Sequence, residues 1–262
     1  METGKRQEAE QFSTRRIVIK IGSSTITGGK NRPDVEFMRD IARQTVQLLE
    51  DGVDVAIVSS GAVAAGKREG FETPGTKGKQ VDAVFGQGRL MAKWSSVFEE
   101  FGIEDVGQLL YTDIDLKEKA QSAREVLEMS LRRGVVIINY NDGISDEEMR
   151  EIESNSDNDV LASNIASLID ADTLLILTDT DGVLDENGNT LASVDRLEDI
   201  QELIRIEGSG TGGPWSKWIQ AHSSAREGKR SIIANGRGED TILRVARGQN
   251  VGTRFHQGYA LY

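Results

Sequence analysis

The chain has no cysteine, which excludes disulfides, thiolate zinc sites and thiol nucleophiles. Histidine is nearly absent: His222 and His256 are the only two, too few to support a His-based metal centre or a Ser-His-Asp hydrolase. No apolar run approaches the length of a membrane span, and the polar, mixed-charge stretch 1–14 lacks the apolar core of a secretory signal. Cytoplasmic residence is the expectation, with residues 1–14 disordered. Positive charge is also scarce, 31 Lys and Arg against 43 Asp and Glu, for a formal net charge of -12. Long-range repulsion then disfavours nucleic acid and anionic membranes as partners, leaving small molecules as the ligands to seek.

At 262 residues with 37% hydrophobic content, the chain can fill one large α/β domain. Apolar and β-branched runs at 17–21, 53–58, 106–111, 135–138, 173–177 and 231–234 read as strands. Helical stretches lie between them at 35–50, 81–101 and 115–133, and others begin near 159 and 216. Gly134 is expected to cap the helix before it. Such alternation marks a mostly parallel sheet covered on both faces, whose ligands gather at the carboxyl ends of the strands. Without a repeat, low-complexity tract or linker, 15–262 reads as a single domain.

Lys20 ends the run Ile17-Val18-Ile19-Lys20 and is followed by Ile21-Gly22-Ser23-Ser24, so one cation and a fan of backbone N–H groups arrive together at a strand end. A lysine in that place is commonly a solvated charge; Gly22 and Ser23 turn the segment into a phosphate cradle, although P-loop spacing is absent. The small residues from Ser59-Ser60-Gly61 to Gly66 suit a ligand resting on helix amides and suit tight helix–sheet packing equally. Asp142, Asp157, Asn158 and Asp159 are more polar residues than turns and caps alone explain. A carboxylate among them, set between two ammonium groups, would hold both. Thr178-Asp179-Thr180-Asp181-Gly182 is either an acidic turn or a nucleotide contact, and lacks the remaining ligands of a calcium loop. Thr211-Gly212-Gly213 leads into a helix with Lys217 in its first turn, where the helix dipole opposes a cation and an anion would resolve the conflict. These are the parts phosphoryl transfer needs, since that reaction rests on positioning and charge neutralisation.

Taken in order, Val18-Ile19-Lys20-Ile21-Gly22-Ser23-Ser24, Ser59-Ser60-Gly61-Ala62-Val63-Ala64-Ala65-Gly66, Gly86-Gln87-Gly88-Arg89-Leu90-Met91, Asp157-Asn158-Asp159, Leu177-Thr178-Asp179 and Gly210-Thr211-Gly212-Gly213 resemble the glutamate 5-kinase (γ-glutamyl kinase) family of the amino acid kinase superfamily. The likeness runs from Ile17 to Phe255 and stops short of the PUA domain that many bacterial members append. It implies a three-layer αβα sandwich with a mostly parallel central sheet, an amino-acid half over 15–165 and a nucleotide half over 166–262. It also implies ATP and Mg²⁺, the metal carried by the ATP phosphates with no protein-built metal site, and transfer to the γ-carboxylate of L-glutamate in proline biosynthesis. Carried over residue by residue, Lys20 and Lys217 neutralise the migrating phosphoryl group and Asp159 orients both. Ser60, Asp142 and Asn158 match glutamate-binding positions, and Asp157 supports their loop. Lys20, Gly22, Ser23, Thr178, Asp179, Thr211, Gly212, Gly213 and Lys217 line the nucleotide. A homodimer or homotetramer and feedback inhibition by proline are further implications of the resemblance.

The chain departs from the family pattern at Asn139-Tyr140-Asn141-Asp142, where Asn-Glu-Asn-Asp is common, at Ser156, where Gly is common, and at Pro214-Trp215. Its 143–155 loop is also longer. These departures keep open a superfamily kinase with another carboxylate, carbamate or phosphate acceptor and, from a different class, a binding regulator without turnover. A glutamate γ-carboxylate, with a pKa of about 4.3, is ionised at neutral pH and needs no His or Cys base, in keeping with what the chain lacks.

Overall fold

The computed structural model describes residues 14–71, 74–144, 158–203 and 214–257. The disorder expected for 1–14 falls almost wholly outside them, as do Asp157, most of the 143–155 loop, and Thr211, Gly212 and Gly213. Among the described residues one sheet contains β1 (Arg16–Ile21), β2 (Asp54–Ser59), β3 (Val106–Tyr111), β4 (Val135–Tyr140), β5 (Thr173–Thr178), β6 (Ser193–Val194), β7 (Arg230–Asn235) and β8 (Thr253–Phe255). Its order is β3-β4-β2-β1-β5-β7-β8-β6. Every neighbouring pair is parallel except β7 and β8.

The central strands are near-continuous apolar runs because helices cover both faces. The helices are α1 (Ser23–Thr27), α2 (Val35–Glu50), α3 (Ala62–Gly66), α4 (Gly75–Glu99), α5 (Asp113–Glu118), α6 (Ala120–Leu131), α7 (Asn158–Leu168), α8 (Pro214–Arg226) and α9 (Thr241–Ala246). Ile17, Ile19 and Ile21 enter a core layer with α2, α3, α4 and α9, while Val18 enters the opposite layer with α6, α7 and α8. The alternation of a strand puts Lys20 on the Val18 side. No described helix is long and apolar enough to cross a membrane.

Two local devices set the site's frame. Gly66 and Gly86 let α3 and α4 touch backbone to backbone: a Cβ on Gly86 would lie 1.7 Å from the Ala62 carbonyl oxygen, and one on Gly66 at 1.7 Å from that of Asp82. Gln44, buried on α2, accepts from the backbone N–H of Ile242 and Leu243, so a side chain satisfies donors that the first turn of α9 would otherwise leave orphaned.

The structure corrects three expectations. The helix expected over 115–133 is two, α5 and α6, separated at Lys119, with Thr112 and Asp115 forming a reciprocal capping box that starts α5. Gly134 is not a left-handed cap, for it is absent from the positive-φ glycines; a Cβ there would meet the Asp105 carbonyl oxygen at 2.1 Å, so close approach is what requires glycine. The short strands β6 and β8 at the sheet's far edge have no counterpart among the expected strands, being too brief for periodicity to reveal.

Candidate functional site

From β1 the chain crosses to β2 on one side of the sheet, whereas β5, the other neighbour of β1, leads toward β6 and β7 on the opposite side. The reversal opens a crevice at the carboxyl ends of β1 and β5, the place where open α/β sheets take their ligands. Lys20 rises into it from β1 and Asp159 from the first turn of α7.

Lys20 Nζ lies 2.5 Å from Asp159 Oδ1, and the two side chains are 2% and 0% exposed. Asp159 Oδ2 lies 3.6 Å from Lys217 Nζ, on the first turn of α8, whose side chain is 22% exposed. One carboxylate thus holds two ammonium groups, one at each oxygen. Two positive charges against one leave a net positive charge at the mouth of the crevice, with Lys217 on its open side. The strand-end lysine is therefore not a solvated charge: burial of this depth is sustained only by a partner.

Asn158, the residue before Asp159, donates from Nδ2 to Ser60 Oγ at 2.7 Å. Ser60 is buried, and its backbone N–H donates to the Ile21 carbonyl, which ties the β2–α3 turn to the end of β1. Ser59 fixes the same turn from below, accepting from Trp94 Nε1 at 3.2 Å and donating to the Ser60 carbonyl at 2.9 Å. Gly61, at φ 109°, closes the turn in a conformation that favours glycine. Lys20, Asp159, Lys217, Ser60 and Asn158 are thus joined in one constellation built from β1, β2, α7 and α8.

The other sequence candidates lie around it. Gly22 caps α1, and a Cβ on it would sit 3.6 Å from Lys20 Nζ, so the glycine leaves open the space directly in front of that ammonium group. Ser23 begins α1 and is exposed. Thr178 ends β5 two residues beyond Ile176, the register partner of Lys20, and Asp179 is exposed just past it. Asp142 lies in the turn after β4, on the same edge of the sheet. Tyr140, one of the departures from the family pattern, is buried in the core layer that contains α6, α7 and α8.

Several polar residues join the site that sequence reasoning did not assign. Asn235, at the end of β7, donates to Asp181 Oδ1 at 2.9 Å and so braces the turn after β5. Gln87 of α4 donates to the Tyr140 carbonyl at 3.3 Å and accepts from Gln108. Its place beside Gly86, the glycine that lets α4 meet α3, was the available signal for it. Asn158 Oδ1, Ser216 Oγ and Asn139 Nδ2 are buried without a hydrogen-bond partner among the described residues. Buried polar atoms are rarely left so, and the first two flank the lysine pair, where a polar ligand would satisfy them. Among the described residues no three or more His, Asp or Glu side chains converge as a metal cage.

Residues 15–235 match the amino acid kinase family. The chain is 38% identical over 256 residues to a glutamate 5-kinase of Shewanella amazonensis, covering 92% of this chain and 66% of that protein. It is 35% identical over 261 residues to a glutamate 5-kinase of Shewanella oneidensis, covering 94% and 68%. The chain therefore spans about two thirds of the length of these curated relatives. Among solved structures, the UMP kinase of Bacillus anthracis superposes with a TM-score of 0.60 at 13% identity, over 95% of this chain and 98% of that one, a likeness of fold alone. The chain belongs to the amino acid kinase family and, within it, to the glutamate 5-kinases.

Proposed function

We propose that the protein transfers the γ-phosphoryl group of ATP to the γ-carboxylate of L-glutamate, giving γ-glutamyl phosphate and ADP for proline biosynthesis. The observation that carries this reading is the buried Asp159 carboxylate held between Lys20 and Lys217 in the switch-point crevice. Likeness to the glutamate 5-kinases supports the choice of acceptor.

One oxygen of the ionised γ-carboxylate forms a bond to the γ-phosphorus as the bond to the β,γ-bridging oxygen breaks, and that electron pair leaves on ADP. No proton need move. The obstacle is repulsion between carboxylate and triphosphate, which the net charge of the Lys20–Asp159–Lys217 group offsets; a preorganised donor of this kind is worth about 10²–10³ in rate. Mg²⁺ carried in with ATP would supply further neutralisation of the phosphates. Lys20 would hold the migrating group from the sheet side and Lys217 from the open side. Asn158 Oδ1 would accept from the substrate ammonium group, with Ser60 and Asp142 beside it. Gly22 and Ser23 would admit the phosphates, and Thr178, Asp179 and the 211–213 segment the rest of the nucleotide. In this reading 15–165 form the amino-acid half and 166–262 the nucleotide half.

The test is turnover with Mg²⁺·ATP and L-glutamate, trapping the acyl phosphate as its hydroxamate, beside aspartate, N-acetylglutamate and carbamate. Glutamate-dependent hydroxamate is expected; turnover only with another acceptor reassigns the pocket, and ATP binding without turnover makes the protein a regulator. The burial of Tyr140 in the core removes one reason for seeking another acceptor.

A further inference from the structure

The helices that deliver Asp159 and Lys217 to the crevice, α7 and α8, are joined by three polar contacts in series. Lys217 Nζ lies 3.6 Å from Asp159 Oδ2 at the crevice end. One turn further along α7, Ser163 Oγ and Ser224 Oγ share a hydrogen bond of 2.9 Å, the two residues being 5% and 0% exposed. Beyond it Ser167 Oγ donates to Glu227 Oε2 at 2.5 Å. Positions 159, 163 and 167 lie on one face of α7, and 217, 224 and 227 on one face of α8. The contacts rise in the same order on both, so the two helices run side by side in the same direction.

The first contact does not fix its own geometry. At 3.6 Å it is an attraction between charges without the direction of a hydrogen bond, and Lys217 ends a flexible four-carbon stem. Where its ammonium group sits therefore follows where α8 sits. The outermost contact is open to water, since the Glu227 side chain is 47% exposed, and water can replace it. The middle one is dry. Its neighbours on each helix, Ala162 and Ala166 on α7 and Ala221 and Ala225 on α8, are small and buried, which permits close approach but offers shallow ridges against sliding. A helix serine commonly bonds the carbonyl one turn back on its own helix, as Ser167 can at the Ser163 carbonyl, 3.1 Å away. Ser163 and Ser224 bond across the seam instead.

We propose that the Ser163–Ser224 hydrogen bond holds α8 in the register that brings Lys217 to Asp159, making both serines positioning residues for the lysine pair. The catalytic consequence rests on the kinase reading, so the test has one readout that needs no turnover. Trace acetylation of the substrate-free chain by acetic anhydride, read by peptide mass against the exposed Lys77, follows how firmly Lys217 is held. Ser163→Ala/Ser224→Ala removes both hydroxyls and leaves neither orphaned, and alanine suits a helix, so the fold should survive with its thermal midpoint within about 3 °C. Acetylation of Lys217 should rise about threefold, the worth of a partly exposed ion pair. Either single variant should give the same rise, since each breaks the one bond. In an enzyme that phosphorylates glutamate, kcat should fall about tenfold or more with both KM values within about twofold. Unchanged acetylation in the double variant overturns the proposal, as does raised acetylation with an unchanged kcat. A lowered thermal midpoint with neither readout moved assigns the serines to packing and overturns it too. Raised acetylation in a chain whose wild type turns over no acceptor supports the register and strikes the kinase reading alone.

Discussion

Asn158 Nδ2 donates to Ser60 Oγ at 2.7 Å, so the first residue of α7 is fastened to the β2–α3 turn through one face of its amide while Oδ1 on the other face has no partner among the described residues. In the proposed reaction an amide held this way would be a preset acceptor for the substrate ammonium group. Asn158→Asp retains the acceptor but loses the donor to Ser60, whereas Asn158→Ala loses both. The expected outcome is a raised glutamate KM in each, with the larger rise in Asn158→Ala, about 1–2 kcal/mol in apparent binding. Unchanged KM in both variants removes Asn158 from the acceptor site.

Asp159 and Lys217 separate stability from rate. Asp159→Asn strips the partner from Lys20, which is only 2% exposed, and leaves a buried ammonium group uncompensated. A loss of about 3–5 kcal/mol in unfolding free energy is expected from a broken buried pair. Lys217→Ala removes the half-open partner, 3.6 Å from Asp159, and should cost far less stability. Its kcat should fall by about 10²–10³ while ATP affinity changes little, because its contact tightens as charge develops on the migrating group. Denaturant titration and steady-state kinetics on both variants decide the matter; a Lys217→Ala enzyme with weakened ATP binding and normal kcat contradicts the assigned role.

Gly86 and Gly88 sit two residues apart on α4 in opposite circumstances. A methyl on Gly86 would lie 1.7 Å from the Ala62 carbonyl oxygen, whereas one on Gly88 meets nothing within 4 Å. Gly86→Ala should lower stability by about 1–3 kcal/mol, and it should raise the glutamate KM because α3 begins directly after the Ser60 turn. Gly88→Ala should instead be neutral or stabilising by up to about 1 kcal/mol through helix propensity. Comparing the two thermal midpoints tests whether close approach, rather than glycine content, is what α4 requires.

How much of this was legible follows from how local each signal is. The run ending at Lys20 identified a central strand because both-face burial needs continuous apolar residues, and the limits of α2 and β3 match the expected ones. The grouping of Lys20, Asn158, Asp159 and Ser60 was legible where a short motif carries its own chemistry, as in Asn158-Asp159 or the turn at Ser60. Illegible were pairings between distant residues. Nothing in the sequence near Gln44 announces that it satisfies the first turn of α9, about 200 positions away by any count, nor does Asn235 announce its bond to Asp181. Gly134 was misread for a related reason: a helix-ending glycine and a glycine forced by a neighbouring carbonyl look alike until the neighbour is placed.

Acid sensitivity should have a readable component at Asp34. This residue caps α2 by accepting from Phe37 N–H and pairs with Arg237, whose guanidinium also donates to the Thr25 carbonyl of α1 and stacks 4.7 Å over the Phe37 ring. Burial raises the Asp34 carboxyl, but the hydrogen bonds and charge of Arg237 and the Phe37 amide outweigh it and hold it below the ordinary carboxylate range. A depressed folded-state value means the contribution is fully present above the unfolded value of about 3.9 and is lost as pH falls through the folded one. Asp34→Asn keeps a capping oxygen and removes the charge, so it isolates the ion pair. At neutral pH it should cost about 0.2–1 kcal/mol, the range for a partly exposed pair. The stability gap between wild type and Asp34→Asn should stay constant above about pH 5 and close below about pH 4, as the wild-type carboxyl takes up its proton. A gap that persists at pH 2, or that opens instead of closing on acidification, assigns the effect to packing around Phe37 and not to the charge on Asp34.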